Sequence, residues 1–91
     1  MEVRWVSLDG EEKKASTWSD LVELAMRNVS SHIQQAHPHL DGNRRDWVES
    51  SMVVTLGKLA SAWRSGGRQV HFWNCPMPGC QYRIDFHVIT D

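Results

Sequence analysis

The chain has 91 residues, which is enough for one domain with a small core, and 41% of them are hydrophobic. This composition, with five tryptophans, argues against a disordered segment, and the net charge of −1 argues against a general affinity for nucleic acid. No apolar run approaches the roughly 18–20 residues that span a bilayer, and the first residues lack the features of a signal peptide. We therefore expect a single cytoplasmic domain over residues 1–91 that makes no membrane contact.

The chain begins with a segment rich in β-favouring side chains. Residues 2–8 include Val3, Trp5 and Val6, which predicts a first strand, and Asp9-Gly10 predicts a turn. The charged residues 11–14 that follow are compatible with a connector or with a short edge strand.

Two helices are predicted next. Thr17 is a good N-cap for the first, whose apolar residues recur at steps of three and four until Pro38 ends it near His37. The second helix has Asn43 as its predicted N-cap and is expected to end at Gly66-Gly67. It is apolar around much of its circumference, which indicates a central position in the fold or an interface such as that of a homodimer.

Residues 68–91 predict a hairpin of two strands. Alternating apolar residues in its second half favour one buried face, and we expect Phe72 to share that face with Ile84 across an irregular loop of odd length. The fold class is then α+β, with a β-α-α-β-β order and a three-stranded, mainly antiparallel sheet that carries both helices on one face. The other face would carry His71, Trp73, Arg83, Asp85 and His87.

Cys75 and Cys80 are compatible with three states. They could bind zinc together with His71 and His87, but four intervening residues are at the upper limit of the usual spacing and no second cysteine pair exists. A disulfide across the hairpin is easy to form, yet a chain without an export signal usually keeps its thiols reduced. We favour two reduced cysteines and expect no metal or other cofactor.

Three histidines lie close together around the end of the first helix. His32, His37 and His39 could bind a metal or respond to pH near 6. Residues of this kind more often occupy helix edges and loops without a further role, and no acidic ligand stands at a metal-site spacing. We therefore interpret them as structural.

The sequence favours recognition of another protein over catalysis. Tryptophan and arginine dominate interface energetics, so the predicted binding residues are His71, Trp73, Arg83 and His87, in a non-catalytic adaptor or inhibitor that recognises its partner through an aromatic and basic surface. One alternative is a zinc-stabilised module that binds nucleic acid through the basic second helix. Another is a thiol-dependent enzyme, although no catalytic motif surrounds the serines or cysteines.

Overall fold

The structure is a computed structural model that describes residues 2–7, 10 and 12–90. Leu8 of the predicted first strand, Asp9 of the predicted turn and Glu11 of the charged segment lie outside the described residues. The elements, in chain order, are β1 (Glu2–Ser7), β2 (Glu12–Ala15), α1 (Trp18–Ala36), α2 (Gly42–Ser65), β3 (Gly67–Asn74) and β4 (Arg83–Thr90).

The strands form one antiparallel sheet in the order β2-β1-β4-β3, and both helices pack on the same face of it. The α+β class is confirmed, but the sheet has four strands and not three. The extra strand is β2, which pairs with β1 at the edge of the sheet, so the alternative of a short edge strand is the correct one. The core lies between sheet and helices, and its largest fully buried residues include Phe86, Leu21, Ile33, Met52 and Leu59.

Both helices begin at a side-chain cap. The Thr17 hydroxyl accepts a hydrogen bond from the Asp20 backbone N–H at 3.1 Å, as its position predicts. The cap of α2 is Asp41 and not Asn43, because the Asp41 backbone is extended and its carboxylate accepts from the Arg44 N–H at 2.8 Å. A carboxylate at this position also interacts favourably with the helix dipole. Neither helix is long and apolar enough to cross a membrane.

The register of the β3–β4 hairpin differs from the prediction. Trp73 pairs with Ile84, so Phe72 pairs with Asp85 and the loop is even in length. Trp73 is consequently 2% exposed and Phe72 is 53% exposed. The indole rather than the phenyl ring lies beneath α2 because its N–H finds a partner there, the Ser51 hydroxyl at 2.8 Å.

Candidate metal centre

Four side chains from two distant parts of the chain converge at one end of the domain. His32 and His37 come from the C-terminal end of α1, and Cys75 and Cys80 come from the loop between β3 and β4. Their ligand atoms all lie within 4.8 Å of one another. We call these four residues the metal centre.

The end of α1 positions both histidines on the same side. His37 is the C-cap: its backbone leaves helical geometry at φ −134° and ψ 54°, while its N–H still donates to the Ile33 carbonyl at 2.8 Å. The following proline prevents the helix from continuing. The two imidazoles meet edge to face, with 5.1 Å between ring centroids, so both rings approach the loop from α1.

The loop between β3 and β4 brings the two sulfurs together. The Cys75 N–H donates to the Tyr82 carbonyl at 2.9 Å, and the Cys80 N–H donates to the Met77 carbonyl at 3.0 Å. Gly79 adopts a positive φ of 78°, a conformation that glycine accepts without strain. The Met77 backbone amide also hydrogen bonds to the Cys75 sulfur, an interaction that stabilises a thiolate.

The distances fit a tetrahedral zinc site. Zinc lies about 2.3 Å from a cysteine sulfur and about 2.0–2.1 Å from a histidine nitrogen, which places sulfur and nitrogen roughly 3.5–3.6 Å apart in a regular tetrahedron. The Sγ of Cys75 is 3.5 Å from Nε2 of His37, and the Sγ of Cys80 is 3.4 Å from Nε2 of His32. These two sulfur–nitrogen separations match those of a tetrahedral zinc site, and all four ligand atoms lie within 4.8 Å of one another.

The surroundings shift the pKa values of two of these side chains. Burial, with a contribution from the neighbouring Cys80, raises the pKa of Cys75 to about 11. Burial and the neighbouring His37 lower the pKa of His32, which favours the neutral imidazole that binds metals. A divalent ion would supply the positive charge that buried thiolates need, because metal binding displaces the thiol protons.

Aromatic side chains enclose the centre on the sheet side. The ring of His32 lies against Tyr82 at a centroid distance of 4.1 Å, and Trp73 presents an edge to the same imidazole at 6.2 Å. The Tyr82 hydroxyl in turn accepts a hydrogen bond from the Asn28 side chain at 2.8 Å. These contacts hold the His32 ring in the orientation that directs Nε2 at the sulfurs.

The four residues predicted to form a binding surface do not lie together. His71 and Trp73 face the helices, whereas Arg83 and His87 lie on the opposite face of the sheet. Arg83 stacks on Phe72, with its guanidinium carbon 4.2 Å from the ring centroid, and not on Trp73. The placement of the four residues on one face is therefore wrong, because it follows from the incorrect hairpin register.

The zinc alternative from the sequence combined Cys75 and Cys80 with His71 and His87, whereas the structure places His32 and His37 beside the cysteines. His71 hydrogen bonds to Gln69 at 3.2 Å, and neither His71 nor His87 belongs to the metal centre. The available signal was a pair of equal spacings, four residues between the two histidines of the α1 end and four between the two cysteines. The histidine pair and the cysteine pair can each be seen in the sequence, but only the tertiary fold brings the two pairs together.

Comparison of the chain with protein-family models, with curated proteins and with solved structures gives no match. The interpretation of the metal centre therefore rests on its own geometry and chemistry. A donor set of two sulfur and two nitrogen atoms is typical of zinc.

Proposed function

We propose that this chain is a non-catalytic interaction module whose fold is stabilised by one structural Zn²⁺ ion at the metal centre. The observation that carries the proposal is the convergence of four ligand atoms, two sulfurs and two imidazole nitrogens, within 4.8 Å. Magnesium and calcium prefer oxygen ligands, so this donor set favours zinc among the common metal ions.

The number of ligands supports a structural rather than a catalytic role. Catalytic zinc sites usually offer three protein ligands and leave a fourth position for water or substrate, whereas structural sites are closed by four. Here four side chains each offer one ligand atom, and all four atoms lie within 4.8 Å of one another. A zinc ion held by all of them has no free tetrahedral position at which to activate a water molecule.

The location of the metal centre supports a stabilising effect. α1 packs chiefly on α2 and β2, while β3 packs on β4 and α2. A metal ion at the centre would therefore join the end of α1 to the β3–β4 loop, two parts of the chain that lie 38 residues apart between His37 and Cys75. A small domain gains most from such a cross-link, since its core alone supplies limited stability.

The other functions weighed from the sequence find less support. A thiol-dependent enzyme needs a cysteine with a lowered pKa, and burial raises the pKa of Cys75. A nucleic-acid-binding helix needs its cations on one surface. Two of those cations pair instead with acidic neighbours on the same helix, Arg45 with Glu49 at 3.3 Å and Arg44 with Asp41 at 4.0 Å.

The interaction role is supported by exposed apolar side chains. Trp47 is 50% exposed and Phe72 is 53% exposed, and large apolar residues of this kind are favoured at protein interfaces. As part of the same proposal we place the protein in the cytoplasm, where reducing conditions keep both cysteines available to a metal. Both are free thiols in the structure.

Native mass spectrometry of the purified chain tests the metal proposal. We expect one zinc ion per chain, loss of that ion on incubation with a strong chelator, and its return when zinc is added. Iodoacetamide should modify Cys80, which is partly exposed, much faster in the chelated than in the zinc-loaded protein. A chain that stays metal-free in the presence of excess zinc would overturn the proposal.

A further inference from the structure

The strand β3 forms an open edge of the sheet. It is eight residues long and pairs on one side only, with β4. The Cys75 N–H donates to the Tyr82 carbonyl across the hairpin. In an antiparallel ladder every second residue directs its N–H and C=O groups to the same neighbour, so Trp73 and His71 also direct theirs toward β4. The residues between them direct their N–H and C=O groups to the open edge, and these are Arg68, Val70, Phe72 and Asn74.

This edge lacks the usual protection against pairing. Exposed edges are commonly short, charged or interrupted by proline. The opposite edge of the sheet, β2, has four residues and carries Glu12, Lys13 and Lys14. β3 is twice as long, contains no proline, and has Arg68 as its one charged residue.

Most exposed apolar side chains of the described residues lie on β3 or on the neighbouring side of α2. We call this side of the domain the flank. Trp63 of α2 packs against Trp18 of α1, so that side of α2 faces α1. The other side of α2 carries Ser51, which bonds Trp73 of β3, together with Trp47 and Val54.

Trp47, Ser50, Ser51 and Val54 line a shallow depression of about 350 Å³ on this side of α2. Of the five large apolar side chains exposed in the described part of the chain, Trp47 and Val54 lie on this side of α2, while Val70 and Phe72 lie on β3 and project from the sheet face away from the helices.

We propose that this flank binds a second copy of the chain, with β3 pairing antiparallel to β3 of the other copy about a two-fold axis at His71. This inference specifies the partner of the proposed interaction role and is independent of the metal centre. The two four-stranded sheets then become one continuous sheet of eight strands, and the exposed sides of the two α2 helices meet above it.

The register follows from the edge itself. An axis at His71 places Val70 opposite Phe72 of the second copy and Arg68 opposite Asn74, so all four outward-facing residues pair at once. The Val70–Phe72 pair matches a β-branched with an aromatic side chain, and the Arg68–Asn74 pair brings no like charges together. The net charge of −1 also makes repulsion between two copies small.

The available area is sufficient for a stable dimer. Eight strand residues extend over roughly 27 Å. The domain measures 42 × 25 × 20 Å, and we take its smallest dimension as the depth of the flank. A flank of that size presents roughly 540 Å² per copy, so two copies would bury roughly the 1,000 Å² that marks a specific interface.

Sedimentation velocity of the zinc-loaded chain, from about 1 to 200 µM, tests the proposal. The wild-type protein should sediment as a dimer, with twice the chain mass of 10.5 kDa. Val54→Lys places a charge on the flank, and Val53→Lys is its matched control, because Val53 is the adjacent residue with a similar exposure of 57% but points away from β3. Val70→Pro removes one outward N–H without disturbing the ladder to β4.

Val54→Lys and Val70→Pro should raise the dimer dissociation constant about tenfold or more, and Val53→Lys should leave it unchanged. Circular dichroism and the zinc content of each variant show that the fold is retained. A wild-type monomer across the concentration range would refute the second copy and leave the flank to a strand of another protein. Equal effects of the two lysine variants would place the dimer contact elsewhere, and a zinc-loaded monomer would leave the metal proposal standing.

Discussion

Removal of the metal should destabilise this domain severely. The perturbation is chelation of zinc from the purified chain, or His37→Ala, which deletes one ligand of the metal centre. A metal ion at the centre would join residues that are 38 and 48 positions apart. Without it, the unfolded chain regains the freedom that the cross-link removes.

The size of the effect follows from the length of that loop. By the chain-entropy relation for cross-links, a loop of about 38 residues corresponds to about 4 kcal/mol at 25 °C. A domain of this length has a free energy of unfolding of roughly 5–14 kcal/mol in total. The melting temperature should therefore fall by roughly 15–30 °C, since each kcal/mol shifts it by about 4–8 °C in a domain of this size.

Thermal unfolding followed by circular dichroism, with zinc and with chelator, measures this difference. His39→Ala is the matched control, because His39 lies two residues from His37 on the same loop, is exposed, and does not belong to the metal centre. His37→Ala should lose most of the zinc-dependent increase in melting temperature, and His39→Ala should keep it.

A melting temperature that changes by less than about 3 °C on complete removal of zinc would refute the stabilising role. So would equal behaviour of the two histidine variants.

Three further substitutions test the contacts around the core and the metal centre. Ser51→Ala leaves the buried Trp73 N–H without its partner and should lower the free energy of unfolding by about 1–3 kcal/mol in urea denaturation. Asp41→Ala removes the N-cap of α2 and should lower it by about 1 kcal/mol in the same assay. Tyr82→Phe deletes the hydroxyl that accepts from Asn28 but keeps the ring against the metal centre. It should weaken zinc binding about tenfold in competition with a chromophoric chelator.

Neighbouring residues provide controls for the two stability predictions. Ser50→Ala changes an exposed serine and should leave the free energy of unfolding within about 0.5 kcal/mol of the wild type. Asp46→Ala changes an exposed aspartate beyond the cap and should be similarly mild. If Ser50→Ala lowered the free energy of unfolding as much as Ser51→Ala, the hydrogen bond to Trp73 would not be the cause. Equal losses for Asp46→Ala and Asp41→Ala would likewise contradict the role of Asp41 as the cap. Unchanged zinc affinity in Tyr82→Phe would show that the hydroxyl does not support the metal centre.

The helices and the overall class of the fold could be predicted because their signals are local. Thr17 caps α1 and Pro38 follows its end, and steps of three and four between apolar residues identify its buried face. The predicted cap of α2, Asn43, lies two residues after the observed cap, Asp41, because the two residue types are equally suitable as caps. A local pattern does not decide between such neighbours.

The hairpin register and the metal ligands depend on tertiary contacts. Phe72 and Trp73 are both large and apolar, so alternation alone allows either to face inward, and the hydrogen bond to Ser51 decides for Trp73. Zinc motifs usually place their histidines close to the cysteines in the sequence, which favours His71 and His87. His32 and His37 lie beside the cysteines only because α1 ends next to the β3–β4 loop.

X-ray absorption spectroscopy at the zinc edge measures the ligand shell of the metal centre. We expect the zinc-loaded chain to show two sulfur ligands at about 2.3 Å and two nitrogen ligands at about 2.0–2.1 Å. Cys80→Ser should then reduce the sulfur count to one. A shell of oxygen and nitrogen ligands without sulfur, or a sulfur count that Cys80→Ser leaves unchanged, would contradict the assignment of the metal centre.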